Sequence, residues 1–213
     1  MKTIQANGIT NINELKNSGG WYWGTDYTDG DLYEAEELFR AEHEICCNRL
    51  IFLHFPNGRI AEPIKAAVGQ YLGKPVFYQE QVYLLMVDFP AEKILILRWR
   101  PDADIVDHVT EIPLPSAIDC YNLSLHAGKE LILLRQGGSE PFQIIWPEKA
   151  QFPIGERESF VFRDGGRLYF SRWEEDPEYR EEVVIRQFPT GDILEVLPGA
   201  FQEFPAGEYW LLR

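Results

Sequence analysis

Five short apolar runs dominate this chain: Leu50-Ile51-Phe52-Leu53-His54, Val82-Tyr83-Leu84-Leu85-Met86, Leu131-Ile132-Leu133-Leu134-Arg135, Leu168-Tyr169-Phe170-Ser171-Arg172 and Tyr209-Trp210-Leu211-Leu212-Arg213. They recur at a mean spacing of about 40 residues, the length of one antiparallel supersecondary unit in repeat proteins. Each is strand-length and rich in β-branched, aromatic or leucine side chains, and turn residues lie between them. Pro56-Asn57-Gly58, Gly137-Gly138-Ser139, Asp164-Gly165-Gly166 and Pro189-Thr190-Gly191-Asp192 supply residues that tolerate positive φ, as does Thr28-Asp29-Gly30 nearer the start. The pattern predicts an all-β chain of hairpins.

Most runs have a short strand before them and one or two after. The clearest unit spans Lys74 to Leu114 and reads as Pro75–Gln79, Val82–Phe89, Ile94–Trp99 and His108–Leu114. Two more cover Tyr121 to Ile154 and Ser159 to Leu197, and an incomplete one surrounds Leu50 to Ile64. At the C-terminus only Phe201–Phe204 and Glu208–Arg213 remain, half a unit. A hairpin of Trp21–Tyr27 and Leu32–Phe39 is expected to supply the other half, which would leave no sheet edge open. In this architecture the chain resembles the small β-propeller repeat proteins. The resemblance implies one domain over residues 1–213, a propeller of about five short blades closed by N- and C-terminal strands.

Two stretches leave room for another reading. Asp31 to Glu44 reads equally as strand or as a helix capped by Asp31 with Glu34 three positions on. Glu62 to Gly73 reads as a short helix or a long loop, with Pro63 suited to a first helical turn and Gly69 interrupting it. Two helices there would make the fold α+β with an antiparallel sheet.

Thirty-four acidic residues against 20 basic ones give a net charge of -14, which opposes binding to nucleic acid or to an anionic membrane surface. No run approaches the roughly 20 apolar residues of a membrane-spanning helix, and the N-terminus lacks a signal-peptide core. Three cysteines, two of them adjacent, make a poor disulfide framework and favour a reducing cytoplasm. His43, Cys46 and Cys47, with Cys120 and His126 elsewhere, lack the paired spacing of a structural metal site, so neither metal nor cofactor is expected. No nucleophile elbow or phosphate-cradling glycine loop is present.

Aligning the five runs places His54, Met86, Arg135, Arg172 and Arg213 at one position. Four of these can be cationic, so His54, Arg135, Arg172 and Arg213 are the candidate binding residues, with a small anion as ligand. The simpler account is that a long cation ends each strand, reaching water or one of the many acids. The expectation is a non-catalytic cytoplasmic binding or interaction module, taking a protein partner or a small anionic ligand. The alternative is a small propeller hydrolase, glycosidase- or lactonase-like, which would need paired carboxylates, where the inner strands offer Asp88 and little else.

Overall fold

The structure, a computed structural model, describes residues 2–26, 30–46, 48–137, 140–204 and 207–213. The expected turn at Thr28-Asp29-Gly30 falls mostly outside these residues, as do Gly138 and Ser139. The chain divides into two compact units, Met1–Cys120 and Tyr121–Arg213. Both are built from antiparallel sheets in which most neighbouring strands are also successive in the chain, as short connections between antiparallel strands favour.

The N-terminal unit holds two sheets. In the first, β1 (Asn13–Glu14), β2 (Trp21–Thr25), β3 (Leu50–His54) and β4 (Arg59–Ala61) lie side by side. The second contains β5 (Gln70–Leu72), β6 (Val76–Tyr78), β7 (Gln81–Asp88), β8 (Lys93–Arg100) and β9 (Ile105–Pro113), with β5 and β6 both pairing β7. The strands expected from Pro75 to Leu114 are thus present as β6 to β9. One face of each sheet contributes to a shared core of Trp21, Trp23, Leu50 and Phe52 against Val82, Leu84, Met86 and Trp99. Trp99 is fully buried, and its indole N–H donates to Asp104 at 3.1 Å, so its polar atom is satisfied at the edge of the core.

Residues Leu32–Arg40 form a helix, α1, rather than a strand. Asp31 caps it, accepting from the amides of Tyr33 and Glu34 at 2.9 and 3.0 Å, and its own amide donates to the Glu34 carboxylate at 2.7 Å. This reciprocal capping box satisfies amides that the first helical turn leaves without partners and decides the ambiguity for helix. The expected hairpin of Trp21–Tyr27 with Leu32–Phe39 is therefore replaced: both edges of β2 are taken, by β1 and β3. Glu62 to Gly73 contains no helix; it runs irregularly into β5. There Asn48 does the work of a strand residue, its side-chain amide bonding both the carbonyl and the amide of Leu72 at 2.8 Å.

In the C-terminal unit, β10 (Ser124–Ala127), β11 (Leu131–Arg135), β12 (Phe142–Trp146) and β13 (Ala150–Phe152) form one sheet. A second consists of β14 (Glu158–Asp164), β15 (Arg167–Glu174), β16 (Arg180–Gln187) and β17 (Ile193–Pro198). Phe142 and Phe152 from the former meet Phe160 and Phe170 from the latter, with ring centroids 5.2 to 6.2 Å apart. Gly191 passes so close to this cluster that a Cβ there would fall 2.1 Å from Phe152 Cγ, and its φ of +79° is one that a residue with a Cβ adopts only under strain. The last strands, β18 (Ala200–Phe204) and β19 (Glu208–Leu212), pair with each other as a two-stranded sheet. Tyr209 stacks on Phe162, and Trp210 and Leu212 on the other face are 55% and 51% exposed. The C-terminal half-unit is thus a hairpin paired with itself. Among the described residues no helix is long and apolar enough to cross a membrane.

Candidate functional site

The four cationic positions expected from the repeat have different surroundings. His54 ends β3 between Trp21 and Arg59 in register, its ring edge-on to Trp21 at 4.8 Å and its Nδ1 buried without a hydrogen-bond partner. Arg135 is 1% exposed; it donates to the carbonyl of Gly137 at 2.8 Å and lies over the Tyr121 ring. Arg172 is engaged by carboxylates, Glu182 at 3.0 Å from Nε and Glu158 at 3.7 Å. Arg213 is exposed at the end of the chain.

Arg135 exemplifies a device used three times in the C-terminal unit. Arg163 donates to Gly165 O at 2.9 Å and stacks on Phe188 at 3.7 Å, and Arg186 donates to Gly191 O at 2.7 Å while lying between Phe152 and Phe170. Each arginine ends or nearly ends a strand and ties down the glycine turn that follows. A guanidinium suits this role because its planar donors reach a carbonyl while its flat face packs on a ring. The cation recurring at strand ends thus has a structural use at Arg135.

Two cations with unused buried donors lie elsewhere, on β8. Arg98 and Arg100 flank the buried Trp99, so strand alternation places both on the sheet face opposite the core. Register puts Tyr83 and Asp107 beside Arg98, and the same alternation brings Gln81 to this face. Both guanidiniums converge on one carboxylate. Arg98 Nη2 reaches Asp107 Oδ2 at 3.1 Å, and Arg100 Nη2 lies 3.2 Å from Oδ1 and 3.1 Å from Oδ2. The hydrogen bond from Arg98, reinforced by the charge of Arg100, holds the Asp107 carboxyl below its ordinary range, and the bond to Asp107 raises Arg98.

Two positive charges here share a single negative one. Three polar atoms remain without hydrogen-bond partners although buried: Arg98 Nε, Arg100 Nε and Gln81 Oε1. Buried polar atoms are satisfied in the great majority of cases, so three gathered on one sheet face, among seven such atoms in the described residues, single this face out as a candidate binding place. The side chains of Arg98, Arg100 and Asp107 are 39%, 42% and 30% exposed, which leaves the cluster open to a small solute. The sequence signal for it was Arg98-Trp99-Arg100 inside an apolar strand, where period-two alternation buries the tryptophan and pairs the arginines. The repeat register does not include it, because β8 is not the strand that repeats.

Other candidate chemistry is taken up by structure. Asp88, the acid considered for hydrolysis, accepts from the Gln70 amide at 2.7 Å and from the amide of Ala91 at 3.0 Å, which is turn chemistry. The Glu36 carboxylate on α1 pairs with Arg40 at 2.6 Å and accepts from the amide of Cys120 at 2.7 Å. Burial pushes the Cys120 thiol far above its ordinary range, where it behaves as a small apolar side chain. Cys46 is exposed, and Cys47 lies outside the described residues. Among the described residues, no three His, Cys, Asp or Glu side chains are grouped to hold a metal ion.

No protein-family profile matches the chain, and no curated protein matches it in sequence. Among solved structures it is similar to a 6-phosphogluconolactonase-like protein of Bacteroides uniformis, at 15% identity and a TM-score of 0.43. That alignment covers 92% of this chain and 60% of the other, so this chain spans less than two thirds of the length of the protein it matches.

Proposed function

We propose that this chain is a non-catalytic binding module of the cytoplasm whose ligand is a small anion held by Arg98 and Arg100. The observation that carries the reading is the pair of guanidiniums on one carboxylate, with two Nε donors and the Gln81 carbonyl left over. Guanidinium pairs bind carboxylate and phosphate through parallel charge-assisted hydrogen bonds, and a partly desolvated setting strengthens them. A hydrolytic reading has less support at this site. A general base works best with a pKa near the operating pH, whereas Asp107 is held below the usual carboxylate range by its two arginines. The scaffold is read as a small propeller, each sheet from β1–β4 to β14–β17 serving as a blade and β18–β19 as a partial fifth.

The test is a thermal-shift titration with inorganic phosphate and with acetate at constant ionic strength. An anion that binds only the folded chain stabilises it by about 2.7 kcal/mol at a hundred times its Kd. The expected result is a saturable shift in the wild-type protein that disappears in Arg98→Gln/Arg100→Gln. No shift with either anion, or an equal shift in the double variant, refutes the assignment.

A further inference from the structure

We infer that the site selects a phosphoryl group over a carboxylate, and that Asp107 is a built-in placeholder which the phosphoryl group displaces. The inference rests on the anion-binding reading above and begins from a count of donors. On its side edge each guanidinium presents two parallel N–H groups, one from Nε and one from Nη2. Asp107 accepts only from the Nη2 of each arginine, and both Nε atoms stay buried and unused. The bound carboxylate therefore satisfies half of two forks.

The shortfall follows from the shape of a carboxylate. Its two oxygens define one edge, which accommodates one fork bidentately; a second fork arriving from another strand position must accept a poorer angle. A phosphoryl group is tetrahedral. Its three terminal oxygens define three edges, so two forks can each dock on an edge of their own and all four N–H groups find acceptors. Charge points the same way. With Asp107 swung aside toward solvent, the two arginines offer two positive charges to a group that carries close to two negative ones at neutral pH.

Gln81 Oε1 adds a further requirement, because it is an acceptor and no anionic oxygen can satisfy it. It needs a donor on the ligand, either the remaining O–H of hydrogen phosphate or a hydroxyl on the group that a phosphate monoester carries. The shared chemistry is a phosphoryl group with an adjacent hydroxyl.

The experiment is calorimetric titration of the wild-type chain and of Asp107→Asn with inorganic phosphate, glycerol phosphate and acetate, at one pH and ionic strength. Removing the competing charge is expected to tighten phosphate binding at least about tenfold, since like charges brought together in a site cost several kcal/mol. Phosphate should then bind the variant at least about tenfold more tightly than acetate does. Tighter binding of glycerol phosphate than of inorganic phosphate assigns a monoester; the reverse assigns the free ion. Equal affinity of the variant for acetate and phosphate overturns the selectivity while leaving anion binding intact, and unchanged phosphate affinity overturns the placeholder. Binding of no probe to either protein removes the anion site itself. Should Asp107→Asn not fold, Asp107→Ser takes its place. In the wild-type protein, phosphate should move the Nε–H resonances of Arg98 and Arg100 in nitrogen-15 spectra more than acetate does, and equal movement by the two anions counts against the inference.

Discussion

Glu158 offers the sharpest test of what holds the C-terminal unit together. Its side chain is 2% exposed, and one carboxylate oxygen accepts from both Nε and Nη2 of Arg186, at 3.2 and 2.7 Å. Arg186 is itself only 10% exposed and lies between the Phe152 and Phe170 rings. Replacing Glu158 with Met keeps the volume but strands a buried guanidinium, and breaking a buried pair in this way costs about 3 to 5 kcal/mol. For a chain of 213 residues, each kcal/mol moves Tm by roughly 2 to 4 °C, so Glu158→Met should lower it by about 6 to 20 °C. Removing the cation as well, in Glu158→Met/Arg186→Met, should recover much of that loss, because well-packed apolar side chains replace buried ion pairs at little cost. Scanning calorimetry and guanidinium denaturation of the two single variants and the double variant give the coupling directly. A single variant that loses under 1 kcal/mol, or a double variant no more stable than the single ones, would show that the pair is not desolvated as described.

Two further expectations concern titration and reactivity. Partial burial pushes the Tyr209 hydroxyl up to about 12 from an ordinary 10.0. Between those values the folded chain keeps a proton that the unfolded chain loses, so stability should fall as pH rises through this window. Tyr209→Phe should decline less steeply than wild type in guanidinium midpoints compared at pH 9 and 11, and parallel declines refute the assignment. Cys120, desolvated against Glu36, should resist iodoacetamide in a Cys46→Ser/Cys47→Ser background until denaturant is added; rapid alkylation in the native state contradicts its burial.

The strand pattern was readable because hairpins are specified locally. Val82 to Phe89 and Ile94 to Trp99 carry their strand character in their own side chains, and Gly191 announces its turn. Asp31 to Glu44 reads equally as helix or strand from its apolar positions alone. The deciding bonds, Asp31 with Glu34, lie in the cap and outweigh that pattern. The candidate site was harder to see for a different reason. An arginine on a strand can pin a turn, pair with an acid or await a ligand, and only its surroundings distinguish these. Arg135 and Arg98 look alike in sequence, yet the carbonyl of Gly137 satisfies one, while the other keeps an unpartnered Nε beside a shared carboxylate.

The arginine ties to Gly137, Gly165 and Gly191 carry a practical consequence for anyone engineering this chain. Each tie fixes the spacing from the arginine to its glycine, since a residue inserted between them would carry the glycine carbonyl out of reach and leave a guanidinium with unmet donors inside the protein. Affinity tags, protease sites or fluorescent inserts therefore belong away from the turns after β11, β14 and β16. The exposed Ala91-Glu92 turn between β7 and β8 has no arginine anchoring it and is the better port of entry.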